Sequence, residues 1–244
     1  MAESSDTVKD LQAASFGAAA GEYERGRPTY PAEAVAWLVP ETARRVVDLG
    51  AGTGKLTRAL AAPGRELLAV EPSAGMRAEF ARVLPRVPVL AGTGEALPPP
   101  DGWADALVCG QAWHWVDPDR AVPEAARVLA PGGQLGLVWN FRDEAEPWVA
   151  ELDGLLRARG EDRTDHRQLE RLEPWFGPLE EHVVRWSHPV TEQQLVDMVA
   201  SRSYVITMAA DERERLLGEV RALVARARPT SLPYVTHCYR ARRR

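Results

Sequence analysis

Residues 48 to 54 read Asp-Leu-Gly-Ala-Gly-Thr-Gly, after the apolar pair Val46-Val47 and before a stretch of helical periodicity that runs through Leu60. Glycines at alternate positions let the backbone turn sharply and let a ligand approach it without a Cβ in the way. A strand that passes through such a turn into a helix opens an open α/β sheet, whose ligands sit beyond the carboxyl ends of the strands. The loop therefore constrains both the fold and the place of any cofactor.

The surrounding sequence has the matching rhythm. Between Arg44 and Asn140, short apolar runs alternate with amphipathic stretches, the pattern that builds a parallel sheet. Strands are expected at 46–50, 66–71, 87–91, 104–110 and 132–139. Ser73 is placed to cap one helix, and Asp117 or Asp119 another, which should end before Pro131-Gly132-Gly133 and contains Pro123 as an irregularity. After Asn140 the chain is richer in helix. Thr191-Glu192-Gln193-Gln194 reads as a capping box, and a longer amphipathic helix after Asp211 carries Leu216, Leu217, Val220, Leu223 and Val224 on one face. Further strands are expected at 182–187 and 234–239.

A chain of 244 residues, 45% hydrophobic, can bury a full core. We expect a single domain over 1–244, divided into a lid region (1–40), a cofactor-binding core (41–140) and a helical acceptor-side region with closing strands (141–244). No apolar run nears the roughly 20 residues that cross a membrane, and the N-terminus has neither a basic start nor an apolar centre. The expectation is a cytoplasmic protein with no membrane partner. Cys109 and Cys238 are too few for a disulfide framework and lack zinc spacing, so both are read as reduced, buried thiols. The net charge of -5 argues against a nucleic-acid partner. The basic cluster Arg240, Arg242, Arg243, Arg244 reads as a solvated chain end.

The spacing of the glycines narrows the cofactor. A nicotinamide loop wants G-x-G-x-x-G, yet Lys55 stands where its third glycine is required. Glu71 ends the second expected strand, where an acidic side chain accepts hydrogen bonds from both hydroxyls of a ribose. Asp48 suits a ligand that carries positive charge and opposes one that carries phosphate. S-adenosylmethionine has the ribose, an ammonium and a sulfonium, and no pyrophosphate.

Val46-Val47-Asp48-Leu49-Gly50-Ala51-Gly52-Thr53-Gly54 resembles the first motif of class I S-adenosylmethionine-dependent methyltransferases. Glu71-Pro72-Ser73 resembles their acidic ribose-binding motif, Gly92 to Pro98 the adenine-side loop, and Ala126 to Gly133 the turn before the fifth strand. The match covers roughly residues 45 to 140. The flanks resemble the methyltransferase type 11 group, which includes trans-aconitate and farnesoate methyltransferase-like proteins. The matching pieces are Tyr23-Glu24-Arg25-Gly26-Arg27-Pro28-Thr29-Tyr30-Pro31, Gln111-Ala112-Trp113-His114-Trp115, Ser201-Arg202-Ser203-Tyr204 and Leu232-Pro233-Tyr234. The chain departs from the pattern at Gly94, where many relatives carry a larger residue.

The resemblance implies an α/β, Rossmann-like sheet of seven strands with the last antiparallel. Helices would lie on both faces, with N-terminal lid helices and a helical insertion before the last strand. It implies S-adenosyl-L-methionine as cofactor and S-adenosyl-L-homocysteine as product, held by Arg27, Asp48, Gly50, Ala51, Gly52, Gly54, Glu71, Pro72, Met76, Gly94, Glu95, Gln111 and Ala112. Arg25, Arg27 and Tyr30 fall in a segment that forms a lid in relatives, and residues 16–30 are expected to order when the cofactor binds.

Methyl transfer from a sulfonium is an in-line displacement, so positioning dominates and neither metal nor covalent intermediate is required. A base is needed only for an acceptor that arrives protonated. His114, after the fourth strand, is either that catalytic base or a packing residue between Trp113 and Trp115. His237 and His188 read as structural, and nothing singles out His166 or His182. Trp113, Trp115, Trp139, Phe141, Arg202 and Tyr204 are the candidates for the acceptor pocket. The expected function is methyl transfer to a small organic molecule at oxygen, carboxylate or hydroxyl. The alternative is a methyltransferase-like cofactor binder with a non-methylating or regulatory role. A nicotinamide oxidoreductase is disfavoured by Lys55 and the lack of an obvious Tyr-x-x-x-Lys pair.

Overall fold

Four of the five residues of strand β1 (Arg45–Leu49) are buried, as a strand covered on both faces requires. In the computed structural model, which describes Glu24, residues 26–159, Leu169 and residues 171–244 (of Ser203 the backbone alone), this strand lies at the centre of the parallel part of the sheet. It pairs in parallel with β2 (Glu66–Val70) on one side and β4 (Ala104–Gly110) on the other, so that Asp48 is in register with Ala69 and Val108. The short β3 (Val89–Leu90) pairs with β2, and β5 (Leu129–Arg142) with β4, again in parallel. With β6 (Glu180–Pro189) and β7 (Ser231–Arg242), the seven-stranded mixed sheet has the order β3-β2-β1-β4-β5-β7-β6. The order reverses between β1 and β4, the switch point beside which ligands bind in open α/β sheets.

The connecting helices start where the sequence signals them. Gly54, left-handed at φ 91°, precedes α2 (Lys55–Leu60), which follows α1 (Ala32–Leu38) in the chain. Ser73 caps α3 (Ala74–Val83) by accepting from the Met76 amide, and Asp117 caps α4 (Pro118–Val128) by accepting from the Asp119 amide. Pro123 is inside α4, where it removes one helical hydrogen bond. Helix α5 (Pro147–Arg157) follows β5. Between β6 and β7 lies the helical insertion: α6 (Glu192–Ala200) with both halves of its capping box formed, α7 (Ser203–Ile206) and α8 (Ala210–Ala227). The five apolar residues expected on one face of α8 are all buried. Each contributes about 1.5 to 3 kcal/mol over an exposed position.

The chain clusters into two compact units. The described residues of one fall within Thr29–Asn140, Thr164–Val184 and Thr236–Arg244; those of the other fall within Met1–Pro28, Phe141–Arg163 and Arg185–Val235. The first is built on Val46, Leu56, Leu60, Ala106, Val108 and Val138, the second on Leu152, Leu156, Val199, Leu216, Val220 and Leu223.

Strands β6 and β7 extend two and three residues further at each end than the expected 182–187 and 234–239. Pro131-Gly132-Gly133 does not precede β5 but sits inside it as a bulge: Ala104 pairs with Leu129 and Ala106 with Gln134, so the intervening residues loop out around Gly132 at φ 73°. Strand β3 is only two residues long, shorter than its apolar run.

Candidate active site

The glycine turn is stitched to the strand beside it. The amides of Gly50 and Ala51 both donate to the Val70 carbonyl, at 2.8 and 3.2 Å. Gly50 has φ 68°, and a Cβ there would lie 2.5 Å from the Cβ of Ala112, so only glycine lets the segment after β4 close over the turn.

Two carboxylates face this turn. Asp48 is 2% exposed, and the Thr57 hydroxyl donates to its Oδ2 at 2.5 Å. Its Oδ1 is buried with no hydrogen-bond partner among the described residues. Burial pushes the Asp48 carboxyl up to about 7, with the hydrogen bond from Thr57 working against it and the charge of Glu71 adding to it. Glu71, directly after β2, accepts from the Gly52 amide at 3.0 Å through Oε2 and from the Ser73 amide at 2.9 Å through Oε1. Burial raises its carboxyl as well, opposed by those two amides and by Arg77. An ionised carboxylate offers about four lone-pair sites, so the two amides leave room for further donors. Cys109, a free buried thiol, is held neutral by burial and by the nearby Asp48.

A second loop is clamped from α4. Glu124 accepts from the Leu97 amide at 2.9 Å, while Arg127 donates to the Leu97 and Pro99 carbonyls and is paired with Glu124 and Asp101. Glu95 accepts from the Asp117 amide at 2.7 Å, tying the loop to the start of α4. Gly94 is a glycine because its neighbours fill the space: a Cβ there would lie 2.6 Å from Val116 Cγ1 and 3.4 Å from Ala121 Cβ. Met76 is buried in the first turn of α3, and Pro72, after β2, is exposed with its carbonyl accepting from Arg77.

The segment after β4 begins with strain. Gln111 holds φ 58°, a left-handed conformation that costs a residue with a Cβ on the order of 1 kcal/mol. Its amide donates to the Val138 carbonyl and its side chain to the Asn140 carbonyl at 3.0 Å. Asn140 is itself fixed, donating to the Thr29 carbonyl and accepting from the Thr236 hydroxyl. Trp113–Trp115 form a single 3-10 turn. Trp113 is 1% exposed, with an indole N–H that has no partner among the described residues, and the His114 ring lies 5.0 Å from that of Trp115 at 42°. Trp139 is buried in β5, edge-on to Tyr239. The Tyr30 hydroxyl lies over Gly110, 2.5 Å from where a Cβ would stand.

The other unit holds the remaining candidates. Arg27 donates through Nε to the Ser201 hydroxyl at 3.2 Å, and that buried hydroxyl donates to the Met198 carbonyl. Arg202 lies in the turn between α6 and α7, with its amide donating to Val199. The Tyr204 hydroxyl is buried with no partner among the described residues, and burial above all pushes it up to about 12. Phe141 is half-buried and precedes Arg142, which forms a buried ion pair with Asp153. His182 and His237 face Glu33 and Glu181, and His188 packs edge-on to Trp186. Tyr23, Arg25, His166 and residues 16–23 lie outside the described residues. Among the described residues no three His, Cys, Asp or Glu side chains come together as a metal site, and no helix is long and apolar enough to cross a membrane.

A methyltransferase-domain family matches residues 47–137, which span the glycine turn, Glu71 and the loop clamped by Arg127. An uncharacterized methyltransferase of Mycobacterium tuberculosis is 50% identical over 233 residues, covering 93% of this chain and 95% of that protein. The chain belongs to this methyltransferase family. An uncharacterized methyltransferase-like protein of Schizosaccharomyces pombe is 30% identical over 245 residues, covering 95% of this chain and 94% of that one. A solved structure from Anaeromyxobacter dehalogenans, assigned as a type II methyltransferase, superposes with a TM-score of 0.59 at 28% identity, covering 89% of this chain and 96% of that one.

Several residues that shape the glycine turn and the loop clamped from α4 carry no mark in the sequence. Thr57 orients Asp48 from nine residues away, Val116 takes the volume that Gly94 gives up, and Glu124 with Arg127 holds the loop from 26 to 30 residues away. One hydroxyl nine residues from a carboxylate is not a motif.

Proposed function

We propose that this methyltransferase uses S-adenosylmethionine to methylate an oxygen atom, carboxylate or hydroxyl, of a small organic molecule, in the manner of the trans-aconitate and farnesoate methyltransferase-like group. The observation that carries the cofactor reading is the pair of buried carboxylates on the glycine turn, one of which has an acceptor atom with no partner among the described residues. A buried acceptor without a donor is costly, and a ligand donor satisfies it.

The residues fit the group. Glu71 has lone pairs left for two ribose hydroxyls after its two backbone bonds. Asp48 Oδ1 is matched by the ammonium of the methionine moiety, because a sulfonium carries no N–H or O–H to donate. A nucleotide with a pyrophosphate would be repelled by Glu71, and by Asp48 once ionised. When bound, the cofactor supplies an electrophilic methyl group on a positively charged sulfur. Arg27 is assigned to the methionine carboxylate, and Ala51, Pro72, Met76, Gly94, Glu95, Gln111 and Ala112 to the adenosine.

The chain's own share of the chemistry is positioning. Gln111, Trp113 and His114 follow β4 at the switch point, and the bond network through Asn140 holds that segment in place. His114 accepts the proton of a hydroxyl acceptor, and with a carboxylate acceptor it serves only to pack against Trp115. Acceptor contacts are assigned to Trp113, Trp115, Trp139, Phe141, Arg202 and Tyr204. Incubation with methyl-labelled S-adenosylmethionine and a panel of small acids, alcohols and amines tests the reading. Labelled methyl ester or ether, with stoichiometric S-adenosylhomocysteine, is expected; S-adenosylhomocysteine formed only with amine acceptors would overturn the oxygen assignment.

A further inference from the structure

Asp48 is in an unusual position for a carboxylate: 2% exposed, in register with apolar Ala69 and Val108, with one oxygen held and the other without a partner among the described residues. The atom that holds it is the Thr57 hydroxyl in the first turns of α2, itself fully buried. The Thr57 amide acts on the same carboxylate in the same sense. The titratable groups that face Asp48 are Glu71, just past β2, and Cys109 in β4. Glu71 opposes ionisation by its charge, and the charge of Asp48 in turn raises the Cys109 thiol. Arg77 interacts with Glu71.

We propose that Thr57 is a positioning residue: by engaging Oδ2 of Asp48 it leaves Oδ1 as the acceptor for the ammonium group of the cofactor, and cofactor binding expels one proton from Asp48 to solvent. This rests on the cofactor reading given under the proposed function. The balance is simple. A neutral Asp48 carboxyl loses its proton to water as the ammonium arrives; the ammonium keeps its charge, so the carboxylate–ammonium pair that forms is net neutral. No other bond is made or broken. The ammonium donates to Oδ1 while Thr57 continues to donate to Oδ2, so both oxygens of the ionised form are satisfied. Without the hydroxyl, the ionised form has one donor fewer, and the proton is harder to expel.

The consequence is a pH-dependent affinity whose sign follows from the direction of the proton. The carboxyl of the free protein, pushed up to about 7, is protonated below that value. Affinity for S-adenosylhomocysteine, which retains the ammonium and lacks the sulfonium, falls as pH drops below about 7, approaching tenfold per pH unit, and levels off above it.

The test is calorimetric titration of the whole chain with S-adenosylhomocysteine in buffers of different ionisation enthalpy, at several pH values from about 5.5 to 8.5. The range brackets the expected midpoint. The native protein is expected to release close to one proton at the acidic end and close to none at the alkaline end. Thr57→Val, which removes the hydroxyl and keeps the shape and the amide, should move the midpoint up by roughly one pH unit. Thr57→Ser should return it. An Asp48→Asn protein should bind with no proton released through this group. If native protein binds without proton release near pH 6, or if Thr57→Val weakens binding equally at every pH, the proposal is wrong and Thr57 is merely structural. If S-adenosylhomocysteine fails to bind at any pH, the cofactor reading falls first.

Discussion

A Cβ added to Gly94 would stand 2.6 Å from Cγ1 of Val116, so the two positions share the volume of one side chain. The loop that carries Gly94 and the turn that carries Val116 have divided that volume in favour of Val116. Gly94→Ala should therefore overpack the contact and destabilise the protein by roughly 1 to 3 kcal/mol. Adding Val116→Ala should recover most of the loss, because it vacates the contested space. Thermal unfolding of both single variants and the double variant checks this. Purely additive losses would show that the two positions do not compete.

The stability of the ligand-free protein should fall with rising pH. Asp48 is held at about 7 against an ordinary 3.8. A carboxyl raised on folding leaves the fold at full strength below its unfolded value and weakens it as pH climbs through the folded one. Glu71 is raised too and acts in the same direction. Urea unfolding should give a lower midpoint at about pH 8 than at about pH 5, over the window where Asp48 ionises. Asp48→Asn should flatten most of that slope, leaving the part due to Glu71. An unchanged slope in Asp48→Asn would mean that other groups set the pH dependence.

The clamp from α4 makes a local prediction. Glu124 accepts from the Leu97 amide and is paired with Arg127, which holds the Leu97 carbonyl from the other side. Glu124→Ala removes the first support and one of the two carboxylates paired with Arg127, leaving Asp101 as the other. Amide hydrogen exchange should accelerate at Leu97 and its neighbours, with residues of α8 unaffected. Protection at Leu97 equal to that of the native protein would show that the loop is held by other contacts.

His114 separates the two kinds of oxygen acceptor. With a hydroxyl acceptor, His114→Gln should lower turnover by about 10² to 10⁴, the usual range for general-base assistance. A carboxylate acceptor needs no base, and the same variant should keep turnover while changing acceptor affinity. Steady-state kinetics with an identified acceptor distinguishes the two. Unchanged turnover on a hydroxyl acceptor would remove His114 from the chemistry.

The parts of this structure that the sequence announces are those fixed by local rules. The caps Ser73, Asp117 and Thr191 and the apolar face of α8 stand where their chemistry placed them. The glycine turn and Glu71 are legible for the same reason, since a backbone conformation or a strand end confines the residue that serves it. What escaped notice depends on distant packing. Pro131-Gly132-Gly133 has the composition of a turn, yet the pairing of Ala104 with Leu129 turns it into a bulge inside β5. The hold of Thr57 on Asp48 and that of Arg127 on Leu97 need three-dimensional coincidence, which no periodicity records.

Calorimetric titration with S-adenosylhomocysteine measures whether the glycine turn and Glu71 hold the nucleoside of S-adenosylmethionine. One site per chain is expected. Glu71→Gln, which keeps the shape but weakens the acceptors offered to two hydroxyls, should lose affinity markedly, because each hydrogen bond to a charged group is worth about 1.5 to 3 kcal/mol. Gly52→Val should lose more, since Gly52 holds φ 55° and a β-branched residue strongly disfavours that conformation. Native-like affinity in both a folded Glu71→Gln protein and a folded Gly52→Val protein would remove the glycine turn and Glu71 from the cofactor site.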